Sequence, residues 1–551
     1  MKIRIIGAVA AGTSAAAKAR RNSEEAEIII YEKDTYISYS GCGMPYYIGG
    51  EVENGEDLTP RDPKFFKSKY NVDIKTGYEV LQVDPKEKIL LVKNFETGET
   101  MKDSYDKLIL ATGARSVVPP ISGVKNKHVF SLRNIKDMYH IKKYIDENSP
   151  KDAVIIGTGF IGLEMAENLK HLGMDVTMVE LLPQVSPGLD EDMAILVEEH
   201  LIAKGVRVIT GKSAKEITES EVILSDDDKL PGDLVIVATG VRPKVELAKD
   251  AGIELGVTGA IKVNQFMETS AADVYAAGDC MEQYHSITGK PVYRPLGSTA
   301  NKTGRMAGNN ATGGNLEFRG VLGTGIYKIF DLAVAQTGLT EREALKEGYE
   351  ISVSHNIKPN RPEYMGGKEM VIKSVADKKD GRLLGVQIIG PEGVDKRVDV
   401  FAALITFGAK VQDLVHLDLA YAPPFSTTKD PVMYTGMIQE NAIYGNRPVM
   451  TSKELDELVS SGKKVRIVDA RVVKQYEASH VENAINVPHS AARAFAKDLE
   501  KDTITVTYCN KGTTGNAVQN IFLNSGVEHV YNLSGGHKTY LRYLKMKKNR
   551  H

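Results

Sequence analysis

Residues 153–164 read AVIIGTGFIGLE. Four apolar residues, Ala153 to Ile156, run into Gly157, Gly159 and Gly162; a helical pattern continues to Leu172, and a second apolar run occupies Val176 to Val179. Strand, glycine turn, helix, strand is the order in which a pyrophosphate meets the orphan N–H groups at a helix N-terminus. Glu180 ends the second strand, where a carboxylate can bind an adenosine ribose 2′-OH. Residues 181–186 hold no Arg or Lys for a 2′-phosphate, so NADH is expected in preference to NADPH.

The same grammar opens the chain. A strand over 2–6 enters Gly7-Ala-Val-Ala-Ala-Gly12, followed by an alanine-rich helix to Arg21 and a strand over 27–31. Val9 stands where the middle glycine is expected, but Glu32 ends the second strand. Further on, DVYAAGDC (273–280) sets Asp279 at a strand end beside a helix start, suited to a ribityl or phosphate-linked sugar chain. One copy is therefore expected to bind a flavin dinucleotide, FAD, and the other the nicotinamide donor. Phe160, inside the second turn, is placed either to cover the flavin face until nicotinamide displaces it or to pack its own helix.

Apolar strands running into glycine turns recur at LILATGARSVVPP (108–120), VIVATGVRP (235–243) and DVYAAGDC. These return strands predict that the second nucleotide fold is inserted into the first. The expected division is a first FAD-binding part at 1–115, an NAD-binding domain at 116–258 and a second FAD-binding part at 259–319. An α+β region without a glycine fingerprint follows at 320–446, and after the Asn446-Arg447-Pro448 linker a C-terminal α/β segment occupies 451–551. The last segment restarts with its own helix (452–460) and strands (464–469, 503–509).

A chain of 551 residues has room for about three or four such units. With 26% charged and 42% hydrophobic residues it has the balance of a globular protein, and a net charge of -2 leaves no basic field for nucleic acid or anionic lipid. No apolar run reaches the ~18 residues of a membrane helix and no secretion signal is visible, so a cytoplasmic protein acting on small molecules is expected. The three cysteines, Cys42, Cys280 and Cys509, are too few for a disulfide framework or a four-ligand zinc site, and the histidines show no metal-ligand spacing. No metal is expected. Cys280, beside Asp279, reads as packing.

Cys42 lies in SYSGCGMPYYIGG (38–50), which reads as strand, glycine pair and helix start, with Pro45 suited to a first helical turn. A thiol there is expected to have a lowered pKa; the bland alternative is a small buried hydrophobe. No second cysteine lies a few residues away, so a redox-active Cys42 must take its disulfide partner from outside or from a distant residue.

GAVAAGTSAAAKARR (7–21), SYSGCGMPYYIGG, GTGFIGLE, AAGDC and AYAPPFSTTKDPV (420–432) together resemble the coenzyme A disulfide and persulfide reductases, single-cysteine members of the pyridine nucleotide-disulfide oxidoreductases. The resemblance covers about 1–446. It implies two Rossmann-like domains for FAD and NAD, an α+β dimerisation domain at 320–446 that builds a homodimer, and Cys42 resting as a mixed disulfide with coenzyme A. It also implies that Ser14, Lys18, Arg21, Ser38, Gly41 and Lys429 lie near coenzyme A, and that Tyr364 and Tyr421 serve beside the cysteine and flavin. Lys18 and Arg21 stand about one helical turn apart, so both cations can face one phosphate-bearing ligand, or they can form a solvated basic face. Gly41 departs from the Asn often found at that position.

VDARVVKQYEASHVENAINVP (468–488), YCNKGTTGNAVQ (508–519) and VYNLSGGHKTY (530–540) resemble a rhodanese-like domain. The resemblance implies that Cys509 heads a loop, 510–514, whose N–H groups cradle a persulfide before a helix starting near Gly515. Arginines common in such loops are replaced by Asn510 and Thr514, which favours a persulfide from a larger carrier over thiosulfate or cyanide; a silent domain is the alternative. The combined expectation is NADH-dependent reduction of coenzyme A persulfide or polysulfide, with the disulfide of coenzyme A close behind. An NADH oxidase or peroxidase and a non-catalytic persulfide relay or sensor are the other readings.

Overall fold

The computed structural model describes residues 1–549, so the last two residues of the 451–551 segment lie outside the described residues. It divides into two compact units, Met1–Leu181 with Gly205–Gly323, and Leu182–Lys204 with Thr324 onward. In the first unit β1 (Lys2–Ile6) enters α1 (Ala10–Asn22) and returns as β2 (Glu27–Glu32). Their parallel sheet has the order Val274–Ala276, Lys107–Leu110, β1, β2, Asp73–Thr76. Strand Val274–Ala276 pairs with Lys107–Leu110 although about half of the unit's chain lies between them, so the intervening polypeptide leaves this sheet and comes back to it. That excursion holds a second parallel sheet, in which β3 (Asp152–Ile156), α2 (Phe160–His171) and β4 (Asp175–Glu180) repeat the first motif.

Apart from Val274–Ala276 at a sheet edge, the apolar runs read from the sequence occupy inner strands, where both faces are covered and alternation is not needed. Ile3, Ile5, Ile28, Ile30, Leu108 and Ile109 form one core, and Val154, Ile156, Val235 and Val237 belong to another. The alanines of α1 let a second helix, α3 (Gly297–Asn310), approach closely, with Gly304 and Gly308 against the backbone of Ala11 and Ala15. Small residues here bring α3 beside the start of α1.

In the second unit an antiparallel sheet contains β5 (Ile351–Pro359) at its edge and β6 (Glu369–Asp377) next to it. Lys373 of β6 is 1% exposed and meets Asp192 at 2.7 Å, Glu341 at 2.6 Å and Asp190 at 3.2 Å. This paired charge ties 182–204, which the sequence reading placed in the nucleotide insert, to the α+β region. The C-terminal segment forms a parallel five-stranded sheet with β7 (Ile504–Tyr508) in the middle, followed by α4 (Thr513–Asn524). Among the described residues no helix is long and apolar enough to cross a membrane.

Candidate functional site

Both glycine turns have the backbone that a dinucleotide turn demands. Gly157 and Gly7 adopt φ of 104° and 103°, a region closed to most side chains. Gly162 and Gly12 lie against the carbonyls of Gly157 and Gly7, where any side chain would collide. The helices that follow have no capping side chain: Gly159 precedes α2 and Val9 precedes α1 without a side-chain cap hydrogen bond. Uncapped first-turn N–H groups are the donors that a pyrophosphate needs, and space beside Gly159 is open.

The strand-end glutamates brace these turns. Glu180 accepts hydrogen bonds from the N–H and the hydroxyl of Thr158 at 2.9 and 2.6 Å, and Glu32 accepts from the Ala8 N–H at 2.8 Å and the Asp34 N–H at 2.9 Å. Burial raises the Glu32 carboxyl, with the Asp34 and Ala8 N–H groups opposing it. Asp279, in the turn after Val274–Ala276, accepts from Arg133 at 2.9 Å. Phe160 is 39% exposed at the mouth of its turn. These residues fit two dinucleotides, one at each turn, with no step of geometry needed beyond the strands that carry them.

Cys42 lies in a single 3-10 turn, Gly41–Gly43, ahead of a five-residue helix, Met44–Ile48. Between β2 and this turn, residues 33–40 form bends and irregular backbone, so the strand that precedes the cysteine segment is β2 itself. Gly49 closes that helix against Asn168 of α2, which brings the cysteine segment to the helix of the second glycine turn. The thiol reaches the surface, yet desolvation by the atoms packed about it, followed by the Glu164 carboxylate, raises its pKa; Arg133 pulls it down and Asp279 adds a smaller upward push. The expected lowering fails first because the thiol is desolvated, then because carboxylates outnumber the cation, and so short a helix has little dipole to oppose them. Glu164 itself is pushed up to about 7 by burial and then by Glu167. Cys280 is buried, as a packing residue would be, and its sulfur donates to the carbonyls of Leu110 and Ala277 at 3.4 and 3.3 Å.

A cavity of about 830 Å³ opens between α1, α3 and the segment leading to Cys42. Ser14, Arg21 and Ser38 line it, together with Arg61, Lys302 and Arg305, while Asp57 is the only lining carboxylate among the described residues. Ser14 donates to the side-chain oxygen of Asn301 at 2.7 Å. Lys18 and Gly41 are not part of the lining: the Lys18 ammonium is taken by Asn22, one turn on, at 2.8 Å. Arg21 therefore faces the cavity without Lys18, with Tyr70 beneath its guanidinium at 5.6 Å.

In the second unit Tyr364 is 75% and Tyr421 47% exposed, and Lys429 lies in the loop before helix Pro431–Ile443. Cys509 follows β7 and is buried at the head of its loop. Its carbonyl accepts from the His537 N–H at 2.8 Å, and α4 begins at Thr513, two residues earlier than Gly515. Asn510 accepts from Arg471, whose guanidinium is held by Asp469, so an arginine does reach this loop, from the strand end before it. Among the described residues no cluster of His, Cys, Asp and Glu could hold a metal ion.

Sequence reasoning missed Glu164, Arg133, Arg61, Lys302 and Arg305. Glu164 had a signal, the first charged residue of α2, set one turn after the glycine turn among apolar neighbours. Lys302 and Arg305 had none, because only the packing of α3 on α1 brings them to Arg21, and Arg61 comes to the same cavity from a loop 40 positions beyond Arg21.

Residues 1–301 match the pyridine nucleotide-disulphide oxidoreductases, 326–431 their dimerisation domain, and 451–542 the rhodanese-like domain. The chain is 40% identical over 440 residues to an NAD(P)H sulfur oxidoreductase (CoA-dependent) of Pyrococcus furiosus, covering 78% of this chain and 97% of that relative. Among solved structures, reduced Bacillus anthracis CoADR-RHD superposes with a TM-score of 0.96 at 37% identity, covering 99% of this chain and 98% of that one. A NAD-dependent persulfide reductase from A. fulgidus superposes with a TM-score of 0.90 at 36% identity, covering 98% and 100%.

Proposed function

The chain belongs to the pyridine nucleotide-disulphide oxidoreductases, and on that premise we propose that it is an NADH-dependent FAD enzyme that reduces sulfur carried on coenzyme A. The favoured substrate is a persulfide or polysulfide of coenzyme A, with its disulfide second. The observation that carries this reading is the cationic cavity beside the Cys42 segment, large enough for a nucleotide and lined by Arg21, Arg61, Lys302 and Arg305. An enzyme acting on oxygen or peroxide has no use for four cations there.

Gly7, Gly12, Glu32 and Asp279 would hold FAD, and Gly157, Gly159, Gly162 and Glu180 would hold the nicotinamide donor, with Phe160 at its mouth. Bound together, these cofactors supply the electron pair that opens a Cys42 disulfide. Ser14, Arg21 and Ser38 orient coenzyme A so that its sulfur meets Cys42. The Cys42 thiolate attacks the inner sulfur of a coenzyme A persulfide; a Cys42–coenzyme A disulfide forms, the sulfur–sulfur bond of the substrate breaks, and hydrosulfide leaves. Glu164, titrating near neutrality, can hold the proton that the thiol gives up. Cys509 is read as the sulfane-sulfur carrier. A homodimer assembled through 320–446, to which Tyr364, Tyr421 and Lys429 belong, and a cytoplasmic setting complete the proposal.

Reduction of the purified protein should release one small thiol with the mass of coenzyme A. NADH-dependent turnover of coenzyme A persulfide should vanish in Cys42→Ser and fall in Cys509→Ser. Turnover of peroxide with no coenzyme A released would replace this reading with the oxidase or peroxidase one, and failure of NADH to bleach the flavin would leave only a persulfide relay.

A further inference from the structure

The loop after Cys509 reads Asn510-Lys511-Gly512-Thr513-Thr514 and contains one cation. That cation, Lys511, forms an ion pair with Glu369 of β6, and Lys538 meets the same carboxylate at 2.7 Å. Glu363 also faces Lys511. Arg471, which donates to Asn510 of the loop, is committed to Asp469 at 2.5 Å, and His537, against Arg471, is pushed down to about 4 by burial and then by that guanidinium, so it is neutral near pH 7. The cations nearest the loop are therefore largely spent on carboxylates.

Lys358 is the exception. It comes from β5, outside the rhodanese-like segment, and stands opposite Met370 one position from the Glu369 pair. Its ammonium donates to the Thr513 hydroxyl at 3.3 Å and lies 4.2 Å from the centre of the Tyr434 ring. Among the described residues it makes no ion pair. Thr513 is the first residue of α4, three positions after Asn510, so this hydrogen bond sets a positive charge at the rim of the Cys509 loop.

We propose that Lys358 belongs to the sulfur-transfer site of Cys509, where it holds the negative charge of the thiolate and then of the persulfide, and that the site is completed across the junction of two domains. This rests on the reading of Cys509 as the sulfur carrier. Burial lowers the Lys358 pKa, and the charge on Cys509 raises it, so the two groups feel one another through space. In the transfer step the Cys509 thiolate attacks the outer sulfur of coenzyme A persulfide. A bond forms between the Cys509 sulfur and that outer sulfur, the sulfur–sulfur bond of the donor breaks, and coenzyme A leaves as a thiolate. The proton of the outer sulfur passes to solvent, and the resulting persulfide anion faces the Lys358 ammonium. One sulfur atom passes from the coenzyme A sulfur to the Cys509 sulfur, one sulfur–sulfur bond replacing another, with no net oxidation.

The test uses the full chain with FAD bound. Isotope-coded iodoacetamide and mass spectrometry of the Cys509 peptide give its alkylation rate against pH, and the same peptide reports sulfur uptake from coenzyme A persulfide. Lys358→Gln should slow Cys509 alkylation at pH 7 by roughly tenfold and move the profile toward alkaline pH, with sulfur uptake slowed in parallel. Lys358→Arg should restore most of the rate. Glu369→Gln, which releases Lys511 and Lys538, should move the profile the other way. A Lys358→Gln profile that overlays the wild type, or a loss that Lys358→Arg fails to restore, overturns the proposal. Wild-type Cys509 that alkylates in this Lys358-dependent way but takes no sulfur removes the carrier reading and leaves the charge placement standing.

Discussion

Replacing Arg61 and Arg305 by Gln probes the cavity at two of its exposed cations. Four cations and one carboxylate line that space, so it is positive before any ligand arrives. Coenzyme A brings phosphates to it. A unit charge about 7 Å from a phosphate contributes about 0.6 kcal/mol in bulk water, and a direct charge-assisted hydrogen bond contributes about 1.5–3 kcal/mol when sheltered. Both guanidiniums reach solvent, which places each near the lower figures. Each single substitution should then raise KM for the disulfide of coenzyme A by about threefold to tenfold, and the pair should multiply. Because the Debye length is about 8 Å at 0.15 M salt, the difference from wild type should be largest at low ionic strength and shrink as salt is added. Steady-state NADH oxidation at several salt concentrations measures this, with flavin bleaching by NADH alone as the check on folding. A double variant whose KM at low salt stays within twofold of wild type would refute the assignment of this cavity to a polyanionic substrate.

Two other perturbations test the electrostatics. Glu164→Gln removes the carboxylate that opposes ionisation of Cys42, so alkylation of Cys42 at pH 8 should quicken by about threefold, while at pH 5.5, where Glu164 is already protonated, the variant and wild type should coincide. Lys373→Met leaves Asp190, Asp192 and Glu341 facing one another and should cost about 3–5 kcal/mol of stability in the second unit, read as a loss of thermal stability. Burial by itself would raise the Asp192 carboxyl, but Lys373 and then His355 outweigh it and hold it below the usual carboxylate range. A depressed carboxyl stabilises above its unfolded pKa and loses that contribution as pH falls through the folded one, so the penalty of Lys373→Met should be full at pH 7 and diminish below about pH 4.

Much of the architecture was legible because it is local. The runs at 2–6, 27–31, 153–156 and 176–179 are strands, since short stretches rich in β-branched and apolar residues, set on either side of a glycine turn and helix, suit the buried middle of a parallel sheet. The helix over 452–460 begins with a capping box, Thr451 with Glu454, that is written in four consecutive positions. Local grammar failed at Cys42. Pro45 and the glycine pair promised a helix start with a depressed thiol, whereas the helix is one short turn and the sulfur's neighbours are Glu164, Arg133 and Asp279, each more than 90 positions away.

The order of strand, glycine turn, helix and acidic strand end determines by itself that the chain builds two nucleotide-type folds, because each backbone donor and each positive φ is specified within about 25 residues. Which charges surround the reactive sulfurs is a different kind of fact. Coulomb interactions act through space, so Arg305 joins Arg21 only when α3 packs on α1, Glu164 faces Cys42 only when Gly49 seats against α2, and Lys358 reaches the Cys509 loop only after two separate sheets have formed. No spacing in the sequence encodes those distances.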